Sequence, residues 1–292
     1  MLVHLYNPTE SIILSKLFNK GIDKFPDLHR IEDESKSQSI LIHFEDIKQF
    51  TDVKPSNLES LEYISISGPA SLELKNKISK QYNVKVFCTP GQAITSVSER
   101  NLLLTLSVMQ NLNKQALSFS QTEWKKIYTH ELKGKIMGFW GFGNIANYLA
   151  NIYIAMGMKV ITSTSKDIDD NRIQKVNEKD LLEKSDILNM QLRLSKNTQG
   201  ILDKKKIQLM KEGSIFINTA RAELTDVAEL YKAIESKKIA GAGLDVFEDE
   251  PLKKNHPLFN LDNVVITPHS AWRTEETVER FIFSALTNLK SA

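Results

Sequence analysis

Lys135–Met156 reads KIMGFWGFGNIANYLANIYIAM. The apolar run Ile136, Met137, Phe139 and Trp140 has the length of a buried strand, and Gly141-Phe142-Gly143 interrupts it. Ile145, Leu149, Ile152 and Met156 then recur at helical spacing along one face. Strand, tight glycine turn and helix in this order bring a helix N-terminus up to a phosphate group, so the stretch reads as a dinucleotide site. Gly141 permits the turn, Gly143 lets a pyrophosphate approach the backbone, and Ala146 is small enough for close helix–strand packing.

Outward from this segment, α/β patterning continues in both directions. Towards the C-terminus, Lys159–Thr162, Ile187–Leu192, Ser214–Asn218, Gly241–Leu244 and Val264–Ile266 read as strands with helices between them, a doubly wound parallel sheet. A long helix is expected from Thr95 to about Ala116. Towards the N-terminus, LVHLY, SILIHF, EYISIS and VKVFC alternate with helical or polar stretches, a smaller α/β unit. The last amphipathic segment, about Thr274 to Leu289, is expected to return to that first unit. The division expected is residues 1–94 completed by 273–292 as a substrate domain, and 95–272 as a dinucleotide-binding domain.

Composition narrows the class. The 292 residues are 41% hydrophobic and 25% charged, enough for two cores. A net charge of +2 without a large basic patch argues against nucleic-acid or membrane attraction. Cys88 is the single cysteine, so an intrachain disulfide and a cysteine-based metal cluster are both excluded, and within VKVFC it reads as a buried, inert thiol. No apolar stretch is long enough to cross a bilayer, and the N-terminus lacks a secretory pattern, which fits a cytoplasmic protein.

Four further motifs fall at or just past predicted strand ends: SDILNMQLRL (Ser185–Leu194), INTARAEL with Arg221, AGAGLDVFEDEPL with Asp245 and Glu250, and VVITPHSAW with His269. The carboxyl edge of an open α/β sheet is where ligands bind, so these side chains converge on the nucleotide. Beside a nucleotide, histidine suits a proton-transfer step, a carboxylate on its ring favours imidazolium and fixes its orientation, and arginine offers a fork of donors for an anionic or carbonyl group.

With TPG (Thr89–Gly91), SVSE (Ser96–Glu99), the glycine turn, NTAR, LDVFEDEP and TPH in order, the sequence resembles the D-isomer-specific 2-hydroxyacid dehydrogenase family from about Tyr63 to His269 and beyond. The resemblance implies a Rossmann-type domain plus a flavodoxin-like substrate domain, a homodimer, and reduction of a small 2-keto acid in a cleft between domains. It matches Arg221, Glu250 and His269 to the family's catalytic residues, and Asp245 to the acid beside the nicotinamide amide. Gly68, Pro69 and Ala70, in a loop running to Ser71, match the loop that holds the substrate carboxylate, with Arg221, His269 and Trp272 also in the substrate set. The implied cofactor set is Gly141, Phe142, Gly143, Asn144, Ile145, Ser163, Thr164, Ser165, Lys166, Leu192, Arg193, Thr198, Thr219, Ala220, Arg221, Asp245, His269 and Ala271.

Departures from the family carry information. NAD-specific members hold an acid at the end of the second strand, whereas here GMKVITSTSKD places Thr164 there among Ser163, Ser165 and Lys166. This composition accepts a 2′-phosphate and favours NADP over NAD, with Asp167 close enough to keep NAD open. Arg193, Ala93 and Ala222 replace the family's usual proline, asparagine and glycine without removing a reacting group. With no arginine cluster near Asp46–Phe50 or Gly68–Leu72, glyoxylate or hydroxypyruvate is favoured over a phosphoglycerate-type substrate. Trp124 falls in the segment that forms a dimerisation arm in relatives. The alternatives are a phosphoglycerate dehydrogenase-like enzyme and a nucleotide-sensing corepressor-type interaction protein. No metal site is expected.

Overall fold

The computed structural model describes residues 1–8, 10–53, 59–120 and 123–292. Two compact units are present, Met1–Ala93 with Arg273–Ala292, and Ile94–Trp272.

In the first unit, strands β1 (Leu2–Tyr6), β2 (His29–Arg30), β3 (Ser39–His43), β4 (Tyr63–Ser67) and β5 (Lys85–Cys88) form a parallel sheet in the order β2-β1-β3-β4-β5. Side chains alternate across a strand. Val3, Leu5 and Leu41 therefore meet one apolar cluster with α1 (Ile12–Ile22), while Ile40, Ile42, Ile64 and Ile66 meet another with α2 (Ile47–Val53) and α3 (Leu72–Tyr82). Both faces are covered, which is why SILIH is buried at every position. Ser11 and Ser71 start α1 and α3 by accepting N–H bonds from Leu14 and Leu74. One expectation changes here, since Cys88 is half-buried rather than enclosed. Asp46 closes a short 3-10 turn ahead of α2, and Phe50 in α2 is fully buried between Tyr6 and Tyr82.

The second unit opens with α4 (Ile94–Met109) and α5 (Leu112–Ser120). The single long helix expected from Thr95 is thus broken in two, where Asn111 takes a left-handed φ of 49°. Strands β6 (Ile136–Trp140), β7 (Lys159–Ser163), β8 (Ile173–Lys175), β9 (Ile187–Met190), β10 (Ser214–Asn218), β11 (Ile239–Leu244) and β12 (Val264–Ile266) follow, with α6 (Asn144–Ala155), α7 (Glu178–Lys184), α8 (Lys204–Leu209) and α9 (Val227–Glu235) between them. All pairings are parallel, in the order β12-β11-β10-β9-β6-β7-β8. Met137, Phe139, Ile187 and Ile217 pack with α4 and α6, and Trp140, Leu188, Phe216 and Leu244 pack with α7, α8 and α9. Strand order reverses between β6 and β9, which creates a ligand crevice at their carboxyl ends.

The final helix, α10 (Glu275–Lys290), is capped by Thr274 and belongs to the first unit. Its Phe281, Ile282, Ala285, Leu286 and Leu289 are buried, and its Ala285 carbonyl accepts from Ser65 Oγ at 2.9 Å. Each such large apolar side chain stabilises the fold by about 1.5–3 kcal/mol relative to exposure. Among the described residues no helix is long and apolar enough to cross a membrane, and no group of three metal-ligating side chains gathers.

Candidate active site

The glycine turn lies at the reversal point. Gly141 has φ +92°, and a Cβ there would sit 2.8 Å from the Gln191 carbonyl oxygen at the end of β9. Backbone meets backbone, so only glycine fits. Gly143 differs, because a Cβ on it would meet nothing within 4 Å. It is also the N-cap of α6 and provides no capping side chain. The first-turn N–H groups of a twelve-residue helix are thereby left to an anion, with an open approach to the backbone. These features fit a dinucleotide pyrophosphate.

Strand β7 ends in Ser163, whose carbonyl accepts from the Gly141 N–H. Thr164 Oγ1 accepts from the Lys166 N–H at 3.2 Å and turns the chain. Phe142, Gly143, Asn144, Asn147 and Lys166 line an open hollow with Asp167, Ile168, Asp169 and Asp170. Asp167 lies 3.8 Å from Lys175, and Asp170 is gripped by Arg172, whose hydrogen bonds pull its carboxyl down to about 2.

The reacting candidates leave three neighbouring strands at one edge. Arg221 follows β10, Asp245 and Glu250 follow β11, and His269 follows β12. Lateral bonds tie these ends together, Asp245 N–H to Asn218 O at 3.0 Å and Thr267 N–H to Leu244 O at 3.0 Å, and within the turn after β10 Asn218 Nδ2 donates to Arg221 O at 2.9 Å. His269 Nδ1 and Glu250 Oε2 are 2.7 Å apart, while Glu250 Oε1 accepts from the Phe247 N–H at 2.9 Å. With Nδ1 donating to the carboxylate, Nε2 is the ring atom left for a substrate. Both side chains are 37% exposed, open to a ligand and still held in place. Arg221 is exposed, and its guanidinium donates to Ala220 O at 2.6 Å.

Asp245 has a task that motif reading alone did not reveal. It is 1% exposed, and its carboxylate accepts from the Thr267 hydroxyl, from the Ser270 N–H at 3.1 Å and from the Ala271 N–H at 2.9 Å. His269, between these anchors, takes φ +47°, a conformation costly for a side chain with a Cβ. Asp245 thus clamps the loop that presents the imidazole.

Other expected ligands are already partnered. The Ala271 N–H is bound to Asp245, and the Ala220 N–H to Asn218 Oδ1 at 2.9 Å. Thr198 Oγ1 accepts from the Ser195 N–H and donates to Arg193 O at 2.7 Å, closing a turn. Leu192 and Trp272 are half-buried, and Arg193 is exposed. In the first unit, the Gly68 N–H donates to Thr89 Oγ1 at 2.8 Å, and Pro69 has no N–H. One feature escaped the motif reading altogether. Asn101 and Asn189, both fully buried, join Thr219 and Gln191 in a polar network beside the glycine turn. The signal was a lone asparagine inside the apolar strand ILNM.

Known proteins resemble this chain in sequence and in fold. The family model for the D-isomer specific 2-hydroxyacid dehydrogenase NAD-binding domain matches residues 102–271. The hydroxypyruvate reductase of Thermotoga maritima is 32% identical over 286 residues, spanning 95% of this chain and 94% of that one. The glyoxylate reductase of Aeropyrum pernix is 35% identical over 214 residues, 69% of this chain and 64% of the other. In fold, the NAD-complexed D-isomer specific 2-hydroxyacid dehydrogenase from Lactobacillus delbrueckii ssp. bulgaricus gives a TM-score of 0.83 at 21% identity, covering 100% of this chain and 96% of that one.

Proposed function

The chain belongs to the D-isomer specific 2-hydroxyacid dehydrogenase family, and we propose that within it the protein reduces glyoxylate to glycolate or hydroxypyruvate to D-glycerate, with Arg221, Glu250 and His269 as its catalytic residues. The observation that carries this reading is the 2.7 Å Glu250–His269 pair, presented from the same sheet edge as Arg221.

A bound dihydronicotinamide supplies the hydride to the keto carbon. The chain's residues do the rest. Arg221 binds the substrate carboxylate or carbonyl through its fork of N–H donors. His269 holds a proton on Nε2 and releases it to the carbonyl oxygen as the C=O bond becomes C–O–H. Glu250 takes the Nδ1 hydrogen bond and keeps the ring turned, while the Phe247 N–H keeps Glu250 in place. In the oxidative direction the same imidazole accepts the hydroxyl proton.

For the cofactor, we favour NADPH over NADH. No carboxylate stands at positions 163–166, and of the acids lining the hollow, Asp167, Asp169 and Asp170, the first and last have Lys175 and Arg172 beside them. For assembly, a second copy of this chain is the proposed occupant of the apolar surface that carries Leu112, Leu117, Phe119, Trp124 and Tyr128. Trp124 is 81% and Tyr128 98% exposed, in a stretch without regular secondary structure. That much exposed aromatic surface favours a protein partner.

Steady-state kinetics with glyoxylate, hydroxypyruvate, pyruvate and phosphohydroxypyruvate, each with NADH and NADPH, tests the reading. The expected result is the highest kcat/KM for one of the first two substrates with NADPH. A clear preference for phosphohydroxypyruvate overturns the substrate assignment, and a clear preference for NADH overturns the cofactor assignment.

A further inference from the structure

Asn101 lies in the middle of α4, fully buried, in a region also lined by Leu104, Ile187 and Ile217. An amide in such surroundings is tolerated only when its hydrogen bonds are made. All four bonding positions of this one are used. Its Nδ2 donates to Asn189 Oδ1 at 3.1 Å and to Thr219 Oγ1 at 3.0 Å. Its Oδ1 accepts from Asn189 Nδ2 at 2.6 Å and from the Tyr153 hydroxyl at 3.3 Å. Asn101 and Asn189 thus form a reciprocal amide pair joining a helix to a central strand.

The pair has a direction, and the direction reaches the carboxyl edge of the sheet. Both N–H bonds of Asn101 are committed, so Thr219 Oγ1 acts as acceptor towards it and keeps its own hydrogen for another partner. Thr219 stands directly after β10, two residues before Arg221. Asn189 Oδ1 also accepts from Gln191 Nε2 at 2.9 Å, which leaves Gln191 Oε1 as an acceptor. Gln191 is the residue whose carbonyl touches the Gly141 turn at the strand-order reversal.

We propose that Asn101 is a positioning residue for the dinucleotide site, setting Thr219 as a hydrogen-bond donor and Gln191 as an acceptor at the carboxyl edge through its amide pair with Asn189. Asn101 itself touches no ligand, and its influence passes through Thr219 and Gln191. The proposal rests on the cofactor-binding reading of this edge.

Asn101→Asp has nearly the same shape but donates nothing once its carboxyl is ionised. Thr219 must then turn its hydroxyl inward, and the edge loses its donor. Thr219→Val removes the hydroxyl, and Thr219→Ser keeps it. The experiment is a double-mutant cycle on the Kd of NADPH and NADH, read by fluorescence titration of the full chain, with Tm recorded for each variant. N101D and T219V are each expected to raise Kd about tenfold, and the double variant also about tenfold rather than about a hundredfold, because both changes remove the same contact. T219S is expected to bind as wild type does. Should N101D fail to fold, Asn101→Ser, which adds no charge, takes its place in the cycle with the same readings. A lowered Tm with unchanged Kd for the Asn101 variant reduces its role to packing and overturns the proposal. Wild-type affinity in T219V, or effects that multiply in the double variant, also overturns it. Wild-type protein that binds neither dinucleotide overturns the cofactor reading beneath it, whatever the variants do.

Discussion

Gly143→Ala separates cofactor binding from folding. The glycine has φ −101° and ψ −167°, extended backbone that alanine adopts freely. A Cβ there would meet nothing within 4 Å, so the added methyl group strains no neighbour. Alanine is a poorer N-cap than glycine by a few tenths to about 1 kcal/mol, and the stiffer unfolded chain returns about 0.4–1 kcal/mol. The net change in stability is therefore within about 1 kcal/mol. Binding fares differently, since the methyl group occupies the space through which a pyrophosphate reaches the first-turn N–H groups of α6. A rise in Kd of at least about tenfold, or ~1.4 kcal/mol, is expected for both NADH and NADPH. Urea unfolding and fluorescence titration on the same sample measure the two quantities. Gly141→Ala is the contrast: φ +92° and a 2.8 Å approach to the Gln191 carbonyl predict a loss of stability of about 2 kcal/mol or more. Unchanged dinucleotide affinity in G143A would refute the reasoning, because the open space at that residue would then not be the phosphate approach.

Three more predictions concern other parts of the molecule. Glu250→Gln keeps the shape but removes the charge opposite His269, and is expected to lower kcat about 10²–10³-fold with little change in cofactor Kd, as single-turnover kinetics will show. Burial, with Arg273 adding to it, holds His43 down to about 4, against 6.5 for the free side chain. Between those values the unfolded chain binds more protons than the folded one, so stability rises with pH and is lost as pH falls. Lowering pH from 7 to 4.5 should cost about 2–3 kcal/mol at this residue, and His43→Gln should flatten that part of the urea-unfolding profile. Replacing Trp124 and Tyr128 together by glutamate is expected to convert the proposed dimer to a monomer in sedimentation velocity.

Much of the nucleotide-binding unit was readable because its strands carry unambiguous signals. Ile136–Trp140, Ser214–Asn218 and Val264–Ile266 are short apolar runs with turn residues at their ends, and they appear with those bounds. The strands that escaped, His29–Arg30 and Ile173–Lys175, are brief and largely polar edge strands, where burial leaves little pattern. The break at Asn111 was hidden because apolar residues continue on both sides of it. Motif spacing located Glu250 and His269, but it does not report which groups are already partnered. The amides of Gly68, Ala220 and Ala271 donate to Thr89, Asn218 and Asp245, and the Asp245 carboxylate is held by the loop that carries His269. These assignments depend on three-dimensional partners that single-sequence periodicity does not encode.

His269→Gln, measured under saturating cofactor and hydroxypyruvate, tests the role of the imidazole most directly. Dinucleotide Kd is expected within about twofold of wild type and kcat reduced by at least about 10³-fold, with the wild-type enzyme yielding D-glycerate. Turnover of the variant close to the wild-type rate would contradict that role.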